Sequence, residues 1–227
     1  MSKVLLQNGY LYTREGIEKA DVLLSDGRLF LHFSKNNIGD VPIFDMSGKL
    51  IVPGFVDVHV HLREPGFLYK ETIKTGTEAA AHGGYTAICA LPNLNPPPSS
   101  PENLAVELDA IKKDACIKVY PYGTITREQK GRGSLSDMVG LAPYVIAFSD
   151  DGKGMQDEGL MLEAMIQAEA LGKAIVAHCE DEAELRPGGC IHDGAFAEAH
   201  GYTGINSASE WKQVKRDIRL AEESGAQ

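Results

Sequence analysis

No stretch of this 227-residue chain is apolar for long enough to span a bilayer, because a spanning helix takes about 20 predominantly apolar residues. The opening Met1-Ser2-Lys3-Val4 lacks the apolar run of a secretory signal. Cysteine is sparse, and Cys89, Cys116, Cys179 and Cys190 show no CxxC spacing. They read as reduced thiols of a cytoplasmic protein and not as a disulfide framework. Positive charge is in deficit: 22 Lys and Arg face 32 Asp and Glu, a formal charge of −10. That balance disfavours nucleic acid, whose phosphates demand clustered Lys and Arg. An anionic small molecule would have to be met by locally placed arginine or metal. The GxxxxGK[ST] frame is missing, so Lys153 in Gly152-Lys153-Gly154 marks no phosphate loop. Low-complexity segments and internal repeats of useful length are missing too.

What is present centres on residues 50–66, LIVPGFVDVHVHLREPG. Pro53-Gly54 breaks a short apolar run, and Phe55 to Leu62 has the β-branched and aromatic character of a strand. Side chains on a strand alternate between faces, which puts Asp57, His59 and His61 on one face and Val56, Val58, Val60 and Leu62 on the other. Two imidazoles so placed can share one metal ion, and Asp57 is placed to orient them. A bare HxH is usually a local accident of a buried strand. Here Arg63-Glu64-Pro65-Gly66 opens a charged loop where the histidines stop, which favours a site.

Residues 3–52 read as all-β, with short apolar runs split by the turn signals Asn8-Gly9, Asp26-Gly27 and Ser47-Gly48. After Gly66, helices alternate with short apolar strands. Helices are predicted over 71–82, from Ser100-Pro101 to about Ala115, over 134–142, 157–171 and 207–224. Strands are predicted over 85–91, 117–125, 145–149 and 174–178, with a loop through Pro187-Gly188-Gly189. This alternation implies an α/β class with a parallel sheet and helical crossovers. The division expected is 1–52 as a β segment and 53–227 as β/α. Five strands and about 170 residues fall short of a closed (β/α)₈ barrel, which takes about 250. The chain is therefore expected to be the first part of a larger protein.

Polar residues collect at the strand ends: His59, His61 and Arg63, then Asn93, then Asp150 and Asp151, then His178. Histidines with carboxylates suit zinc, or two divalent ions bridged by a carboxylate. Such a centre activates water and polarises a carbonyl. Arg63 can grip a carboxylate through its planar fork, and Asn93 can add a hydrogen bond. His32, His82, His192 and His200 read as edge, helix-end or loop histidines without a metal.

DVHVHLREPG, followed by KETIKTGTEAAAHGGYT, LPNLNP, FSDDG and AHCED, resembles the class I dihydroorotases of the amidohydrolase superfamily over nearly the whole chain. The resemblance implies a (β/α)₈ metal-dependent hydrolase barrel, here incomplete, with a small β-sandwich built from both chain ends. It implies the reversible cyclisation of N-carbamoyl-L-aspartate to L-dihydroorotate in pyrimidine biosynthesis, through a hydroxide held by one or two Zn²⁺. His59 and His61 would then hold one metal, Asp151 would bridge two, and His178 would hold the second. Arg63 and Asn93 would bind the substrate's carboxylate. Strand alternation alone leaves Asp150 and Asp151 both open. The family's strand-six histidine and strand-eight aspartate, the general acid/base, are not found in this chain, so these residues alone are expected to be inactive. Two alternatives stand beside this reading. One is a hydantoinase or allantoinase, though no lysine lies in Val145 to Ser149 to be carboxylated. The other is a non-catalytic partner of aspartate transcarbamoylase. A homodimer is open as well.

Overall fold

The computed structural model describes residues 3–34 and 38–227. The chain divides into two compact units, Met1–Gly54 and Phe55–Gln227. The expected boundary lay two residues earlier.

The first unit is a single five-stranded sheet among the described residues. Its strands are β1 (Val4–Thr13), β2 (Gly16–Ser25), β3 (Arg28–Phe30), β4 (Ile43–Asp45) and β5 (Leu50–Ile51). The order is β3-β2-β1-β4, and β5 also pairs with β1. Asp26-Gly27 closes the β2–β3 hairpin with both residues at positive φ, 54° and 72°, the backbone that a tight two-residue turn demands. Asn8-Gly9 behaves otherwise than predicted. It forms no turn but a bulge inside β1, where the register steps from Leu6↔Val22 to Gly9↔Ala20. Asn8 takes the left-handed conformation there, at φ 65°, which Asn tolerates better than most residues. Leu5, Leu11, Val22 and Leu23 are buried, whereas Tyr12, Ile17, Ile43 and Phe44 are exposed.

The second unit alternates strands and helices. It contains β6 (Phe55–Val60), α1 (Ile73–His82), β7 (Tyr85–Ala90), α2 (Pro101–Asp114), β8 (Lys118–Pro121), α3 (Met138–Leu141), β9 (Ala147–Phe148), α4 (Glu158–Ala170) and β10 (Ala174–Ile175). It continues with β11 (Ile191–His192), α5 (Ala195–His200), β12 (Gly204–Ile205) and α6 (Ala208–Ser224). β6, β7 and β8 pair in parallel, as do β9 and β10. A parallel bridge from Gly123 to Phe148 joins the two groups. The C-terminal ends of five strands therefore line up along one edge, where β/α proteins carry their chemistry.

The helices begin where the sequence places caps. The side chain of Ser100 accepts from Asn103 N at the start of α2, and that of Asp157 from Leu160 N at the start of α4. Each satisfies a backbone donor that would otherwise lack a partner. Leu104, Met138, Leu141, Phe148, Met161 and Ala164 form the main core, and full burial of each large side chain contributes roughly 1.5–3 kcal/mol. Glu107 is an exception on α2: it is 2% exposed, and its Oε2 has no hydrogen-bond partner among the described residues. No helix among the described residues is long and apolar enough to cross a membrane.

The strands predicted over 145–149 and 174–178 shorten to Ala147–Phe148 and Ala174–Ile175, and three further elements differ more. The strand predicted over 117–125 stops at Pro121. The helix predicted over 134–142 shrinks to four residues, because Ser136 donates its N–H to Ile125 O at 2.9 Å and Thr126 bridges to Leu135. The predicted loop after Pro187 contains the β11–β12 pair and α5.

Candidate metal centre

His59 lies inside β6 and His61 one residue beyond it. Asp57, on the same face, accepts the backbone N–H of His59 at 3.0 Å, so it fixes the main chain and not the ring. On the opposite face Val60 and Leu62 pack with Ile73 and Ile88, while Val56 and Val58 remain exposed. α1 passes so near this strand end that a Cβ on Gly76 would meet a Leu62 methyl at 2.5 Å. Lateral bonds tie the neighbouring strand ends together. Leu91 N donates to Val60 O at 2.9 Å, the Tyr122 hydroxyl to Val58 O at 3.0 Å, and the Ser149 hydroxyl to Val176 O at 2.7 Å.

Asp151 projects among three imidazoles. His59 Nε2 is 3.6 Å and His178 Nδ1 3.4 Å from its Oδ1, and His61 Nε2 is 3.5 Å from its Oδ2. These separations are longer than good N–H···O hydrogen bonds of about 2.7–3.2 Å. They match the spacing of about 3.4 Å between two donors that share one tetrahedral ion at 2.0–2.2 Å. The donor atoms of His59, His61 and Asp151 all lie within 4.8 Å of one another. His178 reaches the same carboxylate without joining that trio. His61 Nδ1 is buried and makes no hydrogen bond of good geometry among the described residues, although the Asn93 side chain lies near enough to act on the ring. The geometry and the chemistry of this donor set fit a divalent cation.

The electrostatics agree. Burial pushes the His61 imidazole below its ordinary value and Arg63 reinforces the shift, which keeps the ring neutral with a lone pair to donate. Burial pushes the Asp151 carboxyl upward, but the three histidines outweigh it and hold the group below the usual carboxylate range. The nearness of Asp151 raises His178, against burial. Beside it, burial and Asp217 push the Cys179 thiol up to about 11, so without a metal it stays protonated and a poor nucleophile at neutral pH.

Asp150, the neighbouring acid, turns away. It is 1% exposed, and its carboxylate accepts the N–H groups of Ile125, Thr126 and Gly131 and the hydroxyl of Thr126. Asn93 donates through Nδ2 to the Asp151 carbonyl at 2.6 Å, and its buried Oδ1 has no partner of good geometry among the described residues. The Arg63 backbone is left-handed at φ 61°, and among the described residues its guanidinium has no partner. A free guanidinium near His61 is ready to take a carboxylate in bidentate fashion. Gln129, which the sequence reading passed over, also donates to the Asp151 carbonyl, at 2.8 Å. No short-range pattern marks it.

The parallel β/α array carries at its strand ends a histidine–carboxylate cluster that could hold a metal ion. The L-hydantoinase of Arthrobacter aurescens superposes with a TM-score of 0.79 over 100% of this chain and 52% of that one, at 21% identity. A D-hydantoinase gives 0.76 over 99% and 51%, at 20% identity, so both likenesses speak to fold alone. The sequence is more specific: the Dihydro-orotase-like family model matches residues 48–227, and the chain belongs to that family. It is 46% identical to a dihydroorotase of Fusobacterium nucleatum over 96% of this chain and 51% of that protein. It is 48% identical to a dihydroorotase of Listeria monocytogenes serotype 4b over 97% and 52%. The chain thus spans about half the length of the curated relatives it matches.

Proposed function

We propose that this chain is the metal-binding part of a dihydroorotase, which interconverts N-carbamoyl-L-aspartate and L-dihydroorotate. The observation that supports this most directly is the approach of His59, His61 and His178 to one carboxylate, Asp151, at 3.4–3.6 Å. His59 and His61 would hold one zinc ion, His178 would hold a second, and Asp151 would offer its carboxylate to both. That His178 stays outside the tight trio supports two ion positions and a shared carboxylate. When bound, zinc lowers the pKa of a water toward neutrality and polarises the ring amide.

The remaining residues bind and orient. Arg63 takes the substrate's free carboxylate through two parallel N–H bonds, which distinguishes it from uncharged cyclic amides. Asn93 has a second amide hydrogen for the same group. The absence of lysine from Val145 to Ser149 supports dihydroorotase over a hydantoinase that needs a carboxylated lysine there. In this reading Phe55–Gln227 forms the first five β/α units of a (β/α)₈ barrel, and the sheet before it forms part of a β-sandwich.

The activity belongs to the whole protein, and residues 1–227 alone should bind zinc without turnover above background. The test is dihydroorotate hydrolysis by the zinc-loaded intact protein, beside hydantoin and allantoin. Dihydroorotate turnover abolished by His61→Ala and by Arg63→Ala is expected. Hydantoin turnover without dihydroorotate turnover would overturn the assignment.

A further inference from the structure

We infer that Gln129 is a positioning residue for the metal-binding carboxylate of Asp151; this rests on the metal-centre reading above. A backbone carbonyl has two lone pairs, and that of Asp151 uses both, for Asn93 Nδ2 at 2.6 Å and Gln129 Nε2 at 2.8 Å. Its own N–H goes to the Ser149 hydroxyl at 3.1 Å. Both sides of the Asp151 main chain are therefore anchored, and the direction of its carboxylate follows from that anchoring. Outer partners of this kind set ligand orientation and hence metal affinity.

The loop that delivers Gln129 is built for the purpose. Gln129 holds a left-handed backbone at φ 54°, which a residue with a side chain adopts only when its surroundings enforce it. Here the enforcement comes from the buried Asp150 carboxylate, which clamps Ile125, Thr126 and Gly131. The Thr126 hydroxyl also accepts Lys130 N at 3.0 Å, and Gln156 N donates to Gly131 O at 2.9 Å. A Cβ on Gly131 would meet Gly154 O at 2.0 Å, so the loop lies flush against the turn that follows Asp151. The loop is thus held by bonds that do not involve the Gln129 side chain. Among the described residues that side chain's amide makes one hydrogen bond, to Asp151. Removing it loosens the ligand and leaves the loop in place.

The experiment measures zinc affinity of the intact protein by chelator competition, together with the visible spectrum of its cobalt-substituted form. Gln129→Ala and the near-isosteric Gln129→Glu should each raise the zinc dissociation constant by about 10–100-fold and shift the cobalt bands. Arg127→Ala, which cuts the bond of the same loop to Leu135 O, should change the affinity by less than about threefold. Affinity of both Gln129 variants within threefold of the parent, or loss no greater than that of Arg127→Ala, would overturn the assignment. His61→Ala separates the two levels. If it too retains zinc, the metal centre itself is wrong and the role of Gln129 falls with it. If it loses zinc while both Gln129 variants keep it, only the role of Gln129 falls.

Discussion

Thr126 holds the carboxylate of Asp150 at both oxygens, with its amide N–H 3.0 Å from Oδ1 and its hydroxyl on Oδ2. Asp151, one residue on, faces three histidines instead. Adjacent acids on one strand end therefore do different work: the first fixes a loop, the second presents its oxygens to three imidazoles. Burial raises the Asp150 carboxyl, although its hydrogen bonds pull the other way, whereas Asp151 is held low by its histidines.

Exchanging the two acids for amides should separate these roles. Asp150→Asn turns an NH₂ toward buried N–H donors and should destabilise the fold by about 3 kcal/mol, read from the urea midpoint. Asp151→Asn should cost about 1 kcal/mol or less in metal-free protein, yet abolish tight zinc binding in a chelator competition.

Removing the metal should lower the melting temperature, since an ion that binds only the folded state stabilises it. Zinc at about a thousand times its dissociation constant contributes about 4 kcal/mol. Calorimetry with and without chelator checks this, and the zinc-dependent rise should vanish in His61→Ala.

Glu107 should make stability fall with pH. Burial raises its carboxyl well above the ordinary value of 4.5, so the folded state binds its proton more tightly than the unfolded state does. Its contribution is fully present below the unfolded pKa and is lost as pH rises toward the raised one. Glu107→Gln removes this dependence. Its advantage over the parent in urea midpoint should therefore grow from about pH 4.5 upward; an equal offset at pH 4 and pH 8 would contradict the assignment.

Two further substitutions test the scaffold beneath the site. Phe148 is fully buried directly before Ser149-Asp150-Asp151, and Phe148→Ala should cost about 3–5 kcal/mol through the cavity it leaves. Asp157→Ala removes the cap bond to Leu160 N and should cost only about 1 kcal/mol. Chemical denaturation of each variant gives both values.

The elements most legible in the sequence were those whose signals are local. Ser100-Pro101 opening α2, Asp157 opening α4 and Gly225 closing α6 are read from a few adjacent residues. The strand-end residues His59, His61, Asn93, the Asp150-Asp151 pair and His178 were visible because each lies in or follows a short apolar run, but the choice of Asp151 over Asp150 came from the family resemblance alone. What stayed hidden depends on distant partners. Ser136 and Leu135 serve the 124–126 segment rather than a longer α3, so tertiary bonds override helix propensity. β11 and β12 are two residues each, too short to show alternation. Gln129 and Asp151 are 22 positions apart, and no periodicity connects them.

Position 63 carries a conflict of interests. A left-handed backbone at φ 61° costs a side-chain-bearing residue about 1 kcal/mol that glycine would not incur. Arg63→Gly would therefore make a sturdier turn and discard the guanidinium at the centre's edge. A search for thermostable variants would be drawn to this substitution, and a search for active ones driven from it. If Arg63 binds substrate as proposed, the arginine marks a place where function overrides durability in this fold.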